Sequence, residues 1–184
     1  MPAKDYHLNK FHIISSTESI VEEIMRICNG MKDEHFFHSN GKWSAAENID
    51  HLRLSFYKSW KALFIPKILL HFRFGKPTHA SLPYEELMEQ YNQKLDDGAK
   101  ASKPYIPVLD TSKTNKEKVL DHFAQTVERY MNEIKYYWED HHFDKYQFPH
   151  PVLGNITARE LMYFNIFHCW HHFRTLRQRN SEAY

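Results

Sequence analysis

Near the C-terminal end, the run Phe167-His168-Cys169-Trp170-His171-His172-Phe173 sets three imidazoles within five residues of an apolar helical stretch. Neutral imidazole is a common metal ligand and, near neutral pH, a proton carrier. Positions four apart on an α-helix differ by about 40° around the axis, so His168 and His172 point the same way. That pair is half of a metal site, or an acid/base pair. Taking His168 as the reference, Leu161, Met162, Cys169, Phe173 and Leu176 fall on one apolar arc that also contains His172. His171 falls on the opposite side, toward Glu160, Arg174 and Gln178, which read as the polar face. The phase therefore predicts that His168 and His172 point inward and that His171 stands at the rim or surface, with support of a ligand as its alternative role. Cys169, about 100° from His168, reads as a packing residue. A plainer reading stands beside this one: with 14 histidines in 184 residues, some cluster by composition alone, and an inward histidine can be a hydrogen-bonded core residue.

A third imidazole, His51, stands on a second amphipathic stretch, in line with Ser44, Asn48, Ser55 and Ala62. Small side chains around a histidine leave room, which fits either a pocket or a close helix contact. One turn before His51 is Glu47, whose spacing from Ser44 fits a helix capping box, with fourth ligand or general base as the alternative. Three neutral imidazoles directed at one point suit a first-row divalent ion, zinc or nickel first and iron or manganese next, and leave positions open for water and substrate. Such an ion lowers the pKa of a bound water or thiol and so provides a nucleophile at neutral pH. A di-iron carboxylate bundle would need Glu-x-x-His pairs on two helices, and none precedes His168 at that spacing. The thermolysin-type H-E-x-x-H pattern is also missing. The pair His141-His142, between Asp140 and Asp144, reads as a solvated helix end.

The elements that must carry these residues announce themselves by Ser or Thr followed three residues later by Glu: Ser15 to Glu18, Ser44 to Glu47, Thr114 to Glu117 and Thr157 to Glu160. Four such boxes predict four main helices, over 17–28, from 44 to an interruption at Pro66, over 116–138 and over 158–178. The second continues after Pro66 as 68–74. Between residues 75 and 114 the chain is too long for a simple bundle loop; 84–95 reads as a short extra helix and 103–107 as extended. The expected fold is all-α: a four-helix bundle whose long crossover carries the extra short helix, in one domain over 1–184. Its Tyr84, Tyr91 and Tyr105 either line a pocket or pack. No segment alternates enough to demand a sheet.

Lys and Arg number 24 against 23 Asp and Glu, which gives no electrostatic case for nucleic acid or an anionic membrane. Two cysteines, Cys28 and Cys169, form no spaced framework and suit a reducing compartment. The N-terminal residues 1–7 show no secretory signal, and the longest apolar stretch, 62–74, is broken by Pro66, Lys67, His71 and Arg73. A soluble, cytoplasmic protein is expected.

Two segments resemble the DinB-like superfamily of four-helix-bundle proteins. Trp43-Ser44-Ala45-Ala46-Glu47-Asn48-Ile49-Asp50-His51-Leu52 is similar to its Trp-Ser-x-x-Glu-x-x-x-His-Leu signature. His150-Pro151-Val152-Leu153-Gly154-Asn155-Ile156-Thr157-Ala158-Arg159-Glu160, followed by His168-Cys169-Trp170-His171-His172, resembles the H-P-x-L-G-x-L-T-x-x-E and H-x-x-H-H segments of one branch. The resemblance implies metal ligands at His51, His168 and His172, an up-down-down-up helix order and a homodimer. It further implies a metal-dependent transferase, isomerase or hydrolase acting on a small molecule, with a low-molecular-weight thiol such as bacillithiol, mycothiol or glutathione. Thr175 departs from the Gln that relatives often place there, which removes a hydrogen bond near the site. Glu47, Asn48, Ser55, His171 and Thr175 are thus the candidates for supporting or lining residues. A bundle that binds a metal or small ligand without turnover, as a stress-associated dimer, is the competing functional class.

Overall fold

The computed structural model describes residues 7–182, with side chains described up to residue 180. The N-terminal stretch read for a secretory signal lies, up to residue 6, outside the described residues. The helices are α1 (Lys10–Gly30), α2 (Asp33–Phe37), α3 (Ala45–Leu63), α4 (Lys67–Phe74), α5 (Tyr84–Asp96), α6 (Lys116–Tyr137), α7 (Asp140–Phe143) and α8 (Ala158–Glu182). Four of them, α1, α3, α6 and α8, are long and pack around a shared core in which Ile24, Leu52, Phe56, Phe123 and Tyr130 are essentially inaccessible to solvent.

Contacts at the helix ends fix the direction of each. The backbone around Leu8, just before α1, meets Tyr163 and Arg159 at the start of α8, so these two helices run parallel. Lys116 at the start of α6 reaches the Met31 carbonyl just past the end of α1, so those two are antiparallel. The indole of Trp138, after α6, donates to the Leu63 carbonyl at the end of α3, and α3 and α6 are parallel. On α3 and α8, Asn48 meets His172 whereas Ser59 meets Asn165, an antiparallel pair. The order is up-down-down-up, with the crossover linking the two parallel helices α3 and α6.

Pro66, lacking a backbone donor, stands between α3 and α4 as its chemistry requires. Two of the four expected capping boxes form. Ser44 Oγ accepts from Glu47 N at 3.1 Å while Glu47 Oε2 accepts from Ser44 N at 2.7 Å. Thr157 Oγ1 likewise accepts from Glu160 N, and Glu160 Oε2 accepts from Thr157 N. The other two give way to asparagines. Asn9 caps α1 through His12 N, and Asn115 caps α6 through Lys118 N. Ser15 and Thr17 instead turn their hydroxyls back to the carbonyls of His12 and Ile13 inside a longer helix, whose buried stripe runs through Ile13, Thr17, Ile20, Ile24 and Cys28.

A small sheet appears where none was expected. Strands β1 (Gln147–His150) and β2 (Gly154–Thr157) pair antiparallel, with Phe148 opposite Ile156 and His150 opposite Gly154. Pro149 and Pro151 disguise it in the sequence, because proline is excluded from central strands but tolerated where every strand is an edge. Gly154, at φ 76°, takes the left-handed conformation that the hairpin's return requires. The segment expected to be extended at 103–107 contains a single 3₁₀ turn, Lys103–Tyr105.

Helix α8 also departs from its expected polar face. From Ala158 to Cys169 every residue is buried, Glu160 fully so. The reason lies in the crossover. Helix α5 packs on α8 through Tyr91 against Phe164 and Phe167, so α8 is covered by the crossover as well as by the other long helices. Glu160 answers two backbone donors there, Leu82 N at 2.9 Å and Thr157 N at 2.6 Å, and so ties the crossover to the start of α8. Among the described residues no helix is long and apolar enough to cross a membrane.

Removing a charged acceptor from two buried donors leaves both unsatisfied. Glu160→Ala is expected to lower unfolding free energy by about 3 kcal/mol, and Glu160→Gln by less, since the amide still offers an acceptor. Urea denaturation of the two variants and the parent chain measures this; equal stability of all three would contradict it.

Candidate metal centre

Helix α3 presents His51 nearly two turns inside its N-terminus, and α8, running the other way, presents His168 and His172 from adjacent turns. The three rings meet in the bundle, His51 and His168 with centroids 4.8 Å apart and His51 and His172 4.9 Å apart. Their Nε2 atoms converge. His168 Nε2 lies 3.0 Å from His51 Nε2 and 3.1 Å from His172 Nε2. All three nitrogens fall within 4.8 Å of one another, and all three side chains are buried. Among the described residues no fourth His, Cys, Asp or Glu joins them.

The opposite edges of the rings are fixed. His51 Nδ1–H donates to the Tyr105 carbonyl at 2.7 Å, and His172 Nδ1–H donates to Asn48 Oδ1 at 2.7 Å. Asn48 is itself oriented, because its amide donates to the carbonyls of Trp43 and Ser44, which leaves only its oxygen for His172. A neutral imidazole that donates from Nδ1 carries a lone pair on Nε2. His51 and His172 therefore both aim lone pairs at His168.

Burial is the first cause that holds His168 and His172 well below the usual imidazole pKa, with His172 and His51 adding to it for His168 and His51 and His171 for His172. His51 is lowered too, chiefly by burial, against the opposing pull of the Tyr105 carbonyl. The rings are neutral, so at most one proton lies among three mutually close nitrogens. One hydrogen bond can be made there, and the remaining contact sets lone pair against lone pair. A divalent cation resolves this by accepting all three, and tetrahedral zinc with bonds of about 2.0–2.1 Å would put its nitrogens roughly 3.3 Å apart, close to the two contacts His168 Nε2 makes at 3.0 and 3.1 Å. The donor set fits a metal ion.

A cavity of about 150 Å³ opens over the three rings. The helical bundle supplies its floor. The crossover, through Tyr91, Lys100 and Tyr105, and the hairpin, through His150 and Val152, supply its walls. Trp43 packs on His51 with ring centroids 4.8 Å apart, and Phe164 stacks on His168 at 4.9 Å.

The residues singled out from the sequence take distinct places. Glu47 is engaged with Ser44 in the capping box and is not in the histidine group. Asn48 supports His172. Ser55 lines the cavity and donates to Asn165. His171 lines the cavity at its half-buried edge, its ring 5.2 Å from that of His172, while Thr175 is absent from the lining. Of the three crossover tyrosines, Tyr91 and Tyr105 line the cavity and Tyr84 packs on Tyr163. Cys169 is fully buried, its thiol pushed far up by that burial, so it is no nucleophile. His141 and His142 lie on the short α7, His142 Nδ1 accepting from Glu139 N, far in role from the cavity.

Sequence reasoning missed three contributors: the Tyr105 carbonyl, Trp43 and His150 as wall residues. A backbone acceptor leaves no side-chain signal. Trp43 and His150 were visible only as members of motifs, because their contact with the site depends on how the chain enters α3 and on the hairpin.

Fold and site together define a helical bundle with a buried group of three histidines able to hold a metal ion. The chain belongs to the DinB superfamily, whose family model matches residues 17–176. Searches of curated proteins and of solved structures gave no match.

The lowered pKa values carry a consequence for stability. In the unfolded chain a histidine takes up a proton as pH falls through about 6.5, whereas His51, His168 and His172 in the fold resist it. The unfolded state then binds more protons, so the contribution of these groups is complete above that pH and is lost as pH falls below it. Chelator-treated protein should show a urea midpoint that drops steadily from about pH 7 to about pH 5. A midpoint that stays level or rises over that interval would contradict neutral burial.

Proposed function

We propose that the protein is a metal-dependent enzyme of the transferase or hydrolase class, in which His51, His168 and His172 hold a divalent transition ion, zinc or nickel in the first place and iron or manganese otherwise. The observation that carries this is the convergence of three Nε2 atoms beneath an open cavity with no fourth side-chain ligand among the described residues. A closed structural site would use a full protein ligand set, and an open position is the mark of a catalytic one. When bound, such an ion lowers the pKa of a coordinated water or thiol and supplies a nucleophile near neutral pH.

The chain's own residues hold, orient and shield. Asn48 and the Tyr105 carbonyl keep two of the imidazoles in the ligating tautomer and fix the plane of each ring, the role that outer hydrogen bonds play at metal sites. Trp43 and Phe164 pack on His51 and His168 and give the cavity apolar surface beside the rings. His171, its pKa lowered by burial and by Arg174, is neutral at the rim and able to take a proton. The substrate is a small molecule, in keeping with the size of the cavity. A low-molecular-weight thiol as co-substrate and a homodimer are carried into the proposal by family membership. Two unpaired, buried cysteines agree with a reducing, cytoplasmic setting.

Metal analysis after growth in zinc-supplemented medium, with His51→Ala and His168→Ala beside the parent chain, tests the site. The parent is expected to retain one equivalent and to melt higher than after chelation, since a ligand bound to the folded state alone at a hundred times its Kd adds about 2.7 kcal/mol. Both variants should lose the metal and the chelation effect. Metal-free protein in all three cases would overturn the proposal. A screen of small electrophiles with bacillithiol, mycothiol or glutathione then separates turnover from mere binding.

A further inference from the structure

The cavity walls hold a combination that the three ligands do not account for. Its lining includes five histidines and one lysine, but no aspartate or glutamate. With three neutral imidazoles as ligands, a bound divalent ion keeps its whole charge, and no side chain of the cavity offsets it. A lining with cationic and neutral donors and no carboxylate suits an anionic ligand.

His150 supplies a directed donor. It stands at the end of β1, and its Nδ1 accepts from two backbone amides of the hairpin turn, Val152 N at 3.3 Å and Leu153 N at 3.1 Å. An imidazole that accepts at Nδ1 from two N–H groups carries its proton on Nε2. Among the described residues Nε2 has no protein partner, although the half-buried ring lines the cavity and lies edge-on to Phe164 with centroids 4.3 Å apart. Burial lowers the His150 pKa to about 4, so it remains a neutral, single-tautomer donor through the physiological range. Lys100, on the loop after α5, lines the same cavity, and no carboxylate pairs with it among the described residues.

We propose that His150 Nε2–H and the Lys100 ammonium form the carboxylate-binding side of the cavity, so that the substrate is a small carboxylic acid whose reactive end faces His51, His168 and His172. Two donors lining one cavity, His150 from the hairpin and Lys100 from the crossover, match the two oxygens of a carboxylate, whereas a phosphate has more oxygens to satisfy and is commonly held by a cradle of backbone amides. Aromatic walls at Tyr91 and Phe164, and a volume comparable to one that admits benzene, favour a compact, planar or apolar group beside the acid. This assignment rests on the metal-enzyme reading for the direction of the reactive end, but the acid-binding wall is built of residues outside the ligand set.

Benzoate, benzamide and benzylamine serve as probes of equal shape and different charge. Their affinities are measured by calorimetry on the intact protein, zinc-loaded and chelator-treated, together with His150→Phe and Lys100→Met. Benzoate is expected to bind the parent at least roughly tenfold more tightly than benzamide, with benzylamine weakest, in the loaded and the metal-free protein alike. Each variant should lose most of that preference while retaining the parent's zinc content. Lys100 is exposed, so Lys100→Met keeps the test decisive where His150→Phe disturbs the hairpin. Equal binding of the three probes, or a benzoate preference untouched by both variants, would overturn the inference. Loss of zinc binding by the parent itself would overturn the metal reading instead, and the chelator-treated measurements would still decide whether the wall selects acids.

Discussion

Two hydrogen bonds on the far edges of the imidazoles govern the molecule's centre. By donating from Nδ1 to the Tyr105 carbonyl and to Asn48, His51 and His172 are left with lone pairs on the nitrogens that meet at His168. Two fixed acceptors meeting one shared nitrogen, at which a single proton can satisfy only one of them, are the physical content of the site. A cation relieves this conflict, and the rest of the fold keeps the rings from relieving it by turning away.

Keeping them there is the work of three separate parts of the chain. The capping box at Ser44 sets where α3 begins and thereby the height of both Asn48 and His51. The crossover brings the Tyr105 carbonyl to within 2.7 Å of His51 and packs α5 against α8. The hairpin closes the remaining side with His150 and Val152. Below the rings, Asn165 joins Ser55, Ser59 and Tyr130 in a second polar seam between the helices. Such a seam fixes the relative height of α3 and α8, and the geometry of the histidine group depends on that height.

The long helices and the inward phase of His168 and His172 were legible because helical periodicity and capping chemistry are local. So was the capping role of Glu47. What the sequence hid was non-local. Glu160 read as polar surface because its partner, the backbone of Leu82, arrives from the crossover. Ser15 and Thr114 read as caps because their spacing to Glu matched a box, yet Asn9 caps a longer helix with a longer buried stripe, and Asn115 takes the cap of a helix that starts where expected. The strands around Pro149 and Pro151 escaped because a two-stranded ribbon needs neither alternation nor freedom from proline. His51 was paired with the last helix by the expected bundle and by the family resemblance, not by local spacing, and the Tyr105 carbonyl that fixes its tautomer had no trace in residue type.

X-ray absorption at the zinc edge of protein loaded with one equivalent of zinc addresses the centre most directly. Three imidazole nitrogens at about 2.0–2.1 Å with one further light atom are the expected shell. A shell containing sulfur at about 2.3 Å, or fewer than three imidazoles, would contradict the account.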